Sequence, residues 1–156
     1  MRLLIKQRVF SWTDSYDVYD EKGNACYFVR AEFFSLGHQI RVYHKQSGVE
    51  LGSIHQRLLT LLPTFDVVMD GREIGSVCKN FRLFSQSYDV DFCGWEVEGD
   101  LLGWDYQVCK DGKEMLRISK QLLTWGDTYV LEYDDPSLEM PGLLLVLAID
   151  AANCDE

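Results

Sequence analysis

From Arg2 to Tyr133 apolar residues alternate with polar ones in short runs, and most runs stop at Gly, Asp or Asn. A period of two is the mark of strands that bury one face. Three stretches show the pattern with their turns included: DVYDEKGNACYFV (17–29), VVMDGREIGSV (67–77) and YQVCKDGKEMLRI (106–118). Asp70-Gly71 and Asp111-Gly112 supply the positive φ angles a tight hairpin turn demands, and Lys22-Gly23-Asn24 serves the same end. About a dozen strands fit before Asp134, and hairpins join them.

The chain also aligns with itself. CKNFRLFSQSYDVDF (78–92) matches SKQLLTWGDTYVLEY (119–133), and a third copy reads HQRLLTLLPTFDVVM (55–69). Each unit is a strand with a basic end, an aromatic or Leu-rich link, and an aromatic that opens the next strand. Lys79 precedes Tyr88 by the same interval as Lys120 precedes Tyr129; Gln56 and Phe65 take those places in the third copy. The units are irregular in length, which argues against a propeller or solenoid and for one sheet that winds on itself.

The end of the chain differs in kind. Leu143 to Ile149 are all apolar, Ala151 and Ala152 follow, and Pro141 suits the first turn of a helix, where its missing N–H is not needed. A helix is predicted over about 141–153. It is too short to span a membrane, which takes roughly 18 apolar residues or more. With no polar face, it must be surrounded by protein. A barrel of about a dozen strands is too wide for its own side chains to fill. The fold class read from this pattern is mainly β: a closed antiparallel barrel around a central hydrophobic C-terminal helix, in a single domain over 1–156.

Charge and composition narrow the function. With 15 Lys and Arg against 25 Asp and Glu the net charge is -10, and no basic run offsets it, so no nucleic-acid partner is expected. In MRLLIKQRVFSW the residues Lys6, Gln7 and Arg8 cut the apolar start too short for a signal peptide, and a cytoplasmic location is expected. Cys26, Cys78, Cys93, Cys109 and Cys154 form no C-x-x-C pair and are odd in number, which fits reduced, buried thiols rather than a disulfide framework or a zinc ribbon. Trp12, Trp95, Trp104 and Trp125 read as core and rim residues, an exposed subset of the aromatics being a candidate patch for a membrane or a protein.

A catalytic constellation is hard to build. His38, His44 and His55 form no H-x-x-x-H or H-E-x-x-H; on one strand His38 and His44 stand about 20 Å apart. No G-x-S-x-G elbow and no Gly-rich phosphate loop is present. Neither an enzyme activity nor a cofactor is expected. Asp127, Glu132, Asp134, Asp135 and Glu139 cluster before the helix; Asp134, Asp135 and Glu139 are the candidates for a calcium site, set against a solvated acidic loop that favours a helix N-terminus. Lys79, Arg82, Arg117 and Lys120, from the two best-matched repeats, are the candidate site for an anionic group.

Three segments together, DSYDVYDEKGNACYFVRAEFFSLG (14–37), SKQLLTWGDTYVLEYDD (119–135) and PGLLLVLAIDAANCDE (141–156), resemble the LURP-one-related family with its bacterial YxjI-type members. That family is similar to tubby C-terminal domains and phospholipid scramblases. The resemblance implies a twelve-stranded barrel closed around a C-terminal helix, and it makes an anionic phospholipid headgroup a candidate ligand for the basic residues. The D-x-D-x-D pattern linked with calcium in scramblases is absent. The leading reading is a non-enzymatic binding or scaffold protein whose partner is an anionic lipid headgroup or a protein. Behind it stand a scramblase-like lipid-handling protein and an enzyme with an unrecognised site.

Overall fold

The Asp-Gly pairs turn the chain as their chemistry requires: Asp70 and Asp111 take φ of 52° and 50°, and Gly71 and Gly112 follow at 75° each. The computed structural model describes residues 1–6, 15–34, 37–83, 85–100, 105–123 and 126–154. These form twelve strands: β1 (Arg2–Lys6), β2 (Ser15–Asp20), β3 (Ala25–Phe34), β4 (Gly37–His44), β5 (Glu50–Gln56), β6 (Thr64–Met69), β7 (Arg72–Phe81), β8 (Gln86–Val90), β9 (Glu96–Gly99), β10 (Asp105–Lys110), β11 (Lys113–Leu123) and β12 (Gly126–Tyr133). One turn of 3-10 helix, Pro136–Leu138, leads into α1 (Glu139–Cys154).

Every strand pairs antiparallel with its neighbours in sequence, and β1 closes the ring by pairing β12, Leu3 opposite Leu131. Links from odd to even strands therefore share one end of the barrel, here the link rim; the tight turns from even to odd strands share the other, the turn rim. Register shifts break the ladders beside four of the tight turns, at Val18/Tyr19, Val42/Tyr43, Val67/Val68 and Val108/Cys109. Such bulges add the twist that lets a sheet curl shut.

The helix lies in the barrel. Leu143 to Ile149 are buried without interruption, against inward residues such as Ile5, Ile54, Val67, Tyr106 and Leu131. Burying a Leu or Ile side chain contributes roughly 1.5–3 kcal/mol, so this element is central to stability. Strand and helix come close at Gly52, where a Cβ would meet Leu144 Cδ1 at 2.9 Å.

The helix starts at Glu139, two residues before the sequence-predicted start. The Asp135 carboxylate accepts from the Ser137 N–H at 2.9 Å and caps the preceding turn, and Tyr27 and Tyr133 both donate their hydroxyls to the Glu139 carboxylate. Asn153 secures the other end, accepting from Tyr88 Oη at 2.9 Å and donating to Tyr106 Oη at 3.2 Å; Tyr106 in turn donates to Gln86 Oε1 at 2.9 Å. Asp150, which closes the apolar run, is buried near this end. Trp95 is a core residue. Trp12, Trp104, Trp125, the Cys154 thiol and the Asp127 side chain lie outside the described residues. Cys26, Cys78, Cys93 and Cys109 are free thiols, but none is buried: Cys26, Cys78 and Cys109 are half-buried and Cys93 is exposed.

Candidate functional site

The repeat in the sequence is a strand register. Lys79 is the direct partner of Tyr88, Lys120 of Tyr129, and Gln56 of Phe65. Lys79 shares the inward side of β7 with Val77 and is 6% exposed. Lys120 shares the side of Leu116 and Ile118 on β11 and is half-buried. Both therefore belong to the inner wall towards the link rim. Arg82 and Arg117 do not join them. Arg82, in the β7–β8 link, lies 3.4 Å from Glu98. Arg117 has the outward parity on β11, sits opposite Glu132, and pairs with Glu114 at 2.9 Å, a contact that raises the guanidinium pKa further.

The acidic candidates are each engaged differently. Asp135 caps a turn, and its hydrogen bonds from Ser137 hold the carboxyl below the usual range. Glu139 serves two tyrosines. Asp134 lines a cavity of about 360 Å³ with Arg117, Glu114 and Glu132. Among the described residues no group of three His, Cys, Asp or Glu is placed to hold a metal ion.

The histidines are wall residues. His38 is buried, and His44 Nδ1 lies 3.1 Å from Ser47 Oγ. His55 Nε2 lies 3.0 Å from Ser53 Oγ, and burial, with Arg41 adding to it, lowers the imidazole pKa. That Ser-His contact faces no accessible nucleophile, since Ser53 is 4% exposed, and Asp66, across from His55, gives its carboxylate to Arg57 at 2.6 Å.

The link rim has a feature that sequence reasoning missed. Leu59 and Leu61 are fully exposed, Leu83 is 89%, Leu122 75% and Leu58 50% exposed. They stand on three links of the same rim, β5–β6, β7–β8 and the end of β11. Leu59 also holds φ at 61°, a left-handed conformation that is uncommon for a bulky residue. Across the barrel the turn rim carries Asp-Gly, Lys-Gly-Asn and similar polar turns. The available signal was the Leu-rich link of each repeat, LLTLL, RLF and QLL; nothing in the pattern distinguished exposed from buried leucine.

The pattern of the LURP-one-related family matches residues 1–150. The chain belongs to that family. This LURP-one-related chain is also 30% identical to the uncharacterized protein YxjI of Bacillus subtilis (strain 168) over 158 residues, which covers 100% of this chain and 97% of the relative. No solved structure gives a significant match. No described helix of this family member is long and apolar enough to cross a membrane.

Proposed function

We propose that the chain is a non-enzymatic cytoplasmic binding protein that docks its link rim on a membrane surface and takes anionic lipid headgroups at the barrel mouth. The observation that carries this reading is the gathering of Leu58, Leu59, Leu61, Leu83 and Leu122 on one rim. Leucines standing in water add nothing to the barrel core, whereas each that enters apolar surroundings gains roughly 1.5–3 kcal/mol. A stable protein interface needs about 800 Å² of continuous surface per partner. Separate tips around a ring fit a planar partner better. Lys79, buried, and Lys120, half-buried, stand on the inner side of the wall towards the same rim, and an ammonium reached by a headgroup there would make charge-assisted hydrogen bonds to its phosphate. The likeness to tubby domains runs the same way.

The test is co-sedimentation with vesicles of neutral lipid and of lipid doped with phosphoinositide, with and without calcium. Wild type is compared with Leu59→Asp/Leu61→Asp and with Lys79→Ala/Lys120→Ala, each first checked for an unchanged melting curve. Vesicle binding that drops about tenfold or more in the leucine variant, with headgroup preference lost in the lysine variant, is the expected result. Failure to bind any vesicle would overturn the lipid reading and turn the search to a protein partner.

A further inference from the structure

A second candidate lies on the outer wall rather than inside the barrel mouth, and it is independent of the lipid reading. Where β7, β8 and β9 run side by side the surface encloses a trough of about 420 Å³. Asp89 on β8 and Glu96 on β9 line it and are direct cross-strand partners. Like charges placed opposite each other repel and weaken a sheet. Neither carboxylate has an ion pair or hydrogen bond among the described residues. Glu98 follows two positions along β9, with Ser87 opposite it. Arg82 is the one cation among the lining residues, and it is held by Glu98 at 3.4 Å.

Ser87 points to a ligand independently. It is 3% exposed, it lines the trough, and its hydroxyl has no hydrogen-bond partner among the described residues. Buried hydroxyls are normally satisfied, and one that is not calls for an explanation. Val90 and Trp95 also border the trough, with their side chains turned into the barrel core.

We propose that this trough binds a small aliphatic diamine or polyamine. One ammonium sits between Asp89 and Glu96 and removes their repulsion. A second reaches Glu98 and the Ser87 hydroxyl, which accepts from it. Glu96 and Glu98 are two residues apart on one strand, hence about 7 Å, the span of a short aliphatic diamine. A volume of this size belongs to the range of small-molecule pockets.

Calorimetric titration of the full chain with putrescine, spermidine and n-butylamine tests the site, alongside Glu96→Gln and Ser87→Ala. One-site binding of the diamine is expected, with n-butylamine and Glu96→Gln each about tenfold weaker or worse. Glu96→Gln is expected to melt no lower than wild type, because it relieves a like-charge pair. Ser87→Ala leaves the charge untouched, so it is expected to weaken the diamine while its melting temperature holds or rises; diffuse attraction to an acidic protein does not respond to this change. Binding that is unsaturable, equal for the monoamine, or unaffected by both variants overturns the proposal.

Discussion

Gly99 on β9 faces Tyr106 on β10 as its direct strand partner, and a Cβ at that glycine would come within 2.5 Å of the ring. Tyr106 is fully buried, and its hydroxyl is held by Gln86 and Asn153, so the ring has nowhere to go. Gly99→Ala is expected to cost about 1–3 kcal/mol, the usual penalty of overpacking, readable by urea denaturation. The hydroxyls at the two ends of the helix support a second prediction. Burial raises the pKa of Tyr27, Tyr88, Tyr106 and Tyr133 above the ordinary 10.0, and the Glu139 carboxylate adds to it for Tyr27 and Tyr133. With the folded value above the unfolded one, the stabilisation is complete below pH 10 and is lost as pH rises beyond it, because the unfolded chain releases these protons first. An absorbance titration should show these phenols ionising together with loss of circular dichroism. Ionisation of every tyrosine near pH 10 with the barrel intact would contradict it.

Among the elements, α1 is the one the barrel depends on. Its apolar residues replace the water that would otherwise fill a twelve-stranded ring, so a chain ended at Pro141 is expected to lose cooperative melting and near-UV dichroism and to bind ANS. Leu144→Ala is the milder test, at about 2–5 kcal/mol, since Gly52 holds β5 against that side chain and limits collapse of the cavity. Both the helix and the hairpins were legible in the sequence for the same reason: an uninterrupted apolar run and the Asp-Gly pairs each have few structural solutions. The helix start was not legible, because Glu139 is held by Tyr27, which is distant in the chain. The candidate site was legible only in part. The equal spacing of Lys79–Tyr88 and Lys120–Tyr129 recorded a true strand register. Spacing alone does not say that Lys79 points into the wall and Arg117 out of it, and it leaves the burial of Leu59 or Leu61 undetermined, since that depends on what the link packs against.

For the whole molecule, the contrast between the two rims and the charge of -10 decide how a membrane would be met. Ion pairs such as Arg2–Glu132, Lys45–Asp17 and Arg57–Asp66 occupy cations on the surface, so the surplus carboxylates set the long-range field and an anionic vesicle repels the body. That repulsion reaches about 10 Å in 0.1 M salt and only about 3 Å in 1 M. Insertion of Leu58, Leu59, Leu61, Leu83 and Leu122 is not weakened by screening, whereas attraction between Lys79 or Lys120 and a headgroup is. If the leucines supply the affinity, binding to anionic vesicles should hold or strengthen between 0.1 M and 1 M sodium chloride, and binding to neutral vesicles should hardly change. A tenfold fall with salt on anionic vesicles would assign the affinity to the lysines instead. Leu59→Asp/Leu61→Asp separates the cases again: it removes binding to both kinds of vesicle if insertion leads, and spares anionic vesicles at low salt if headgroup contact leads.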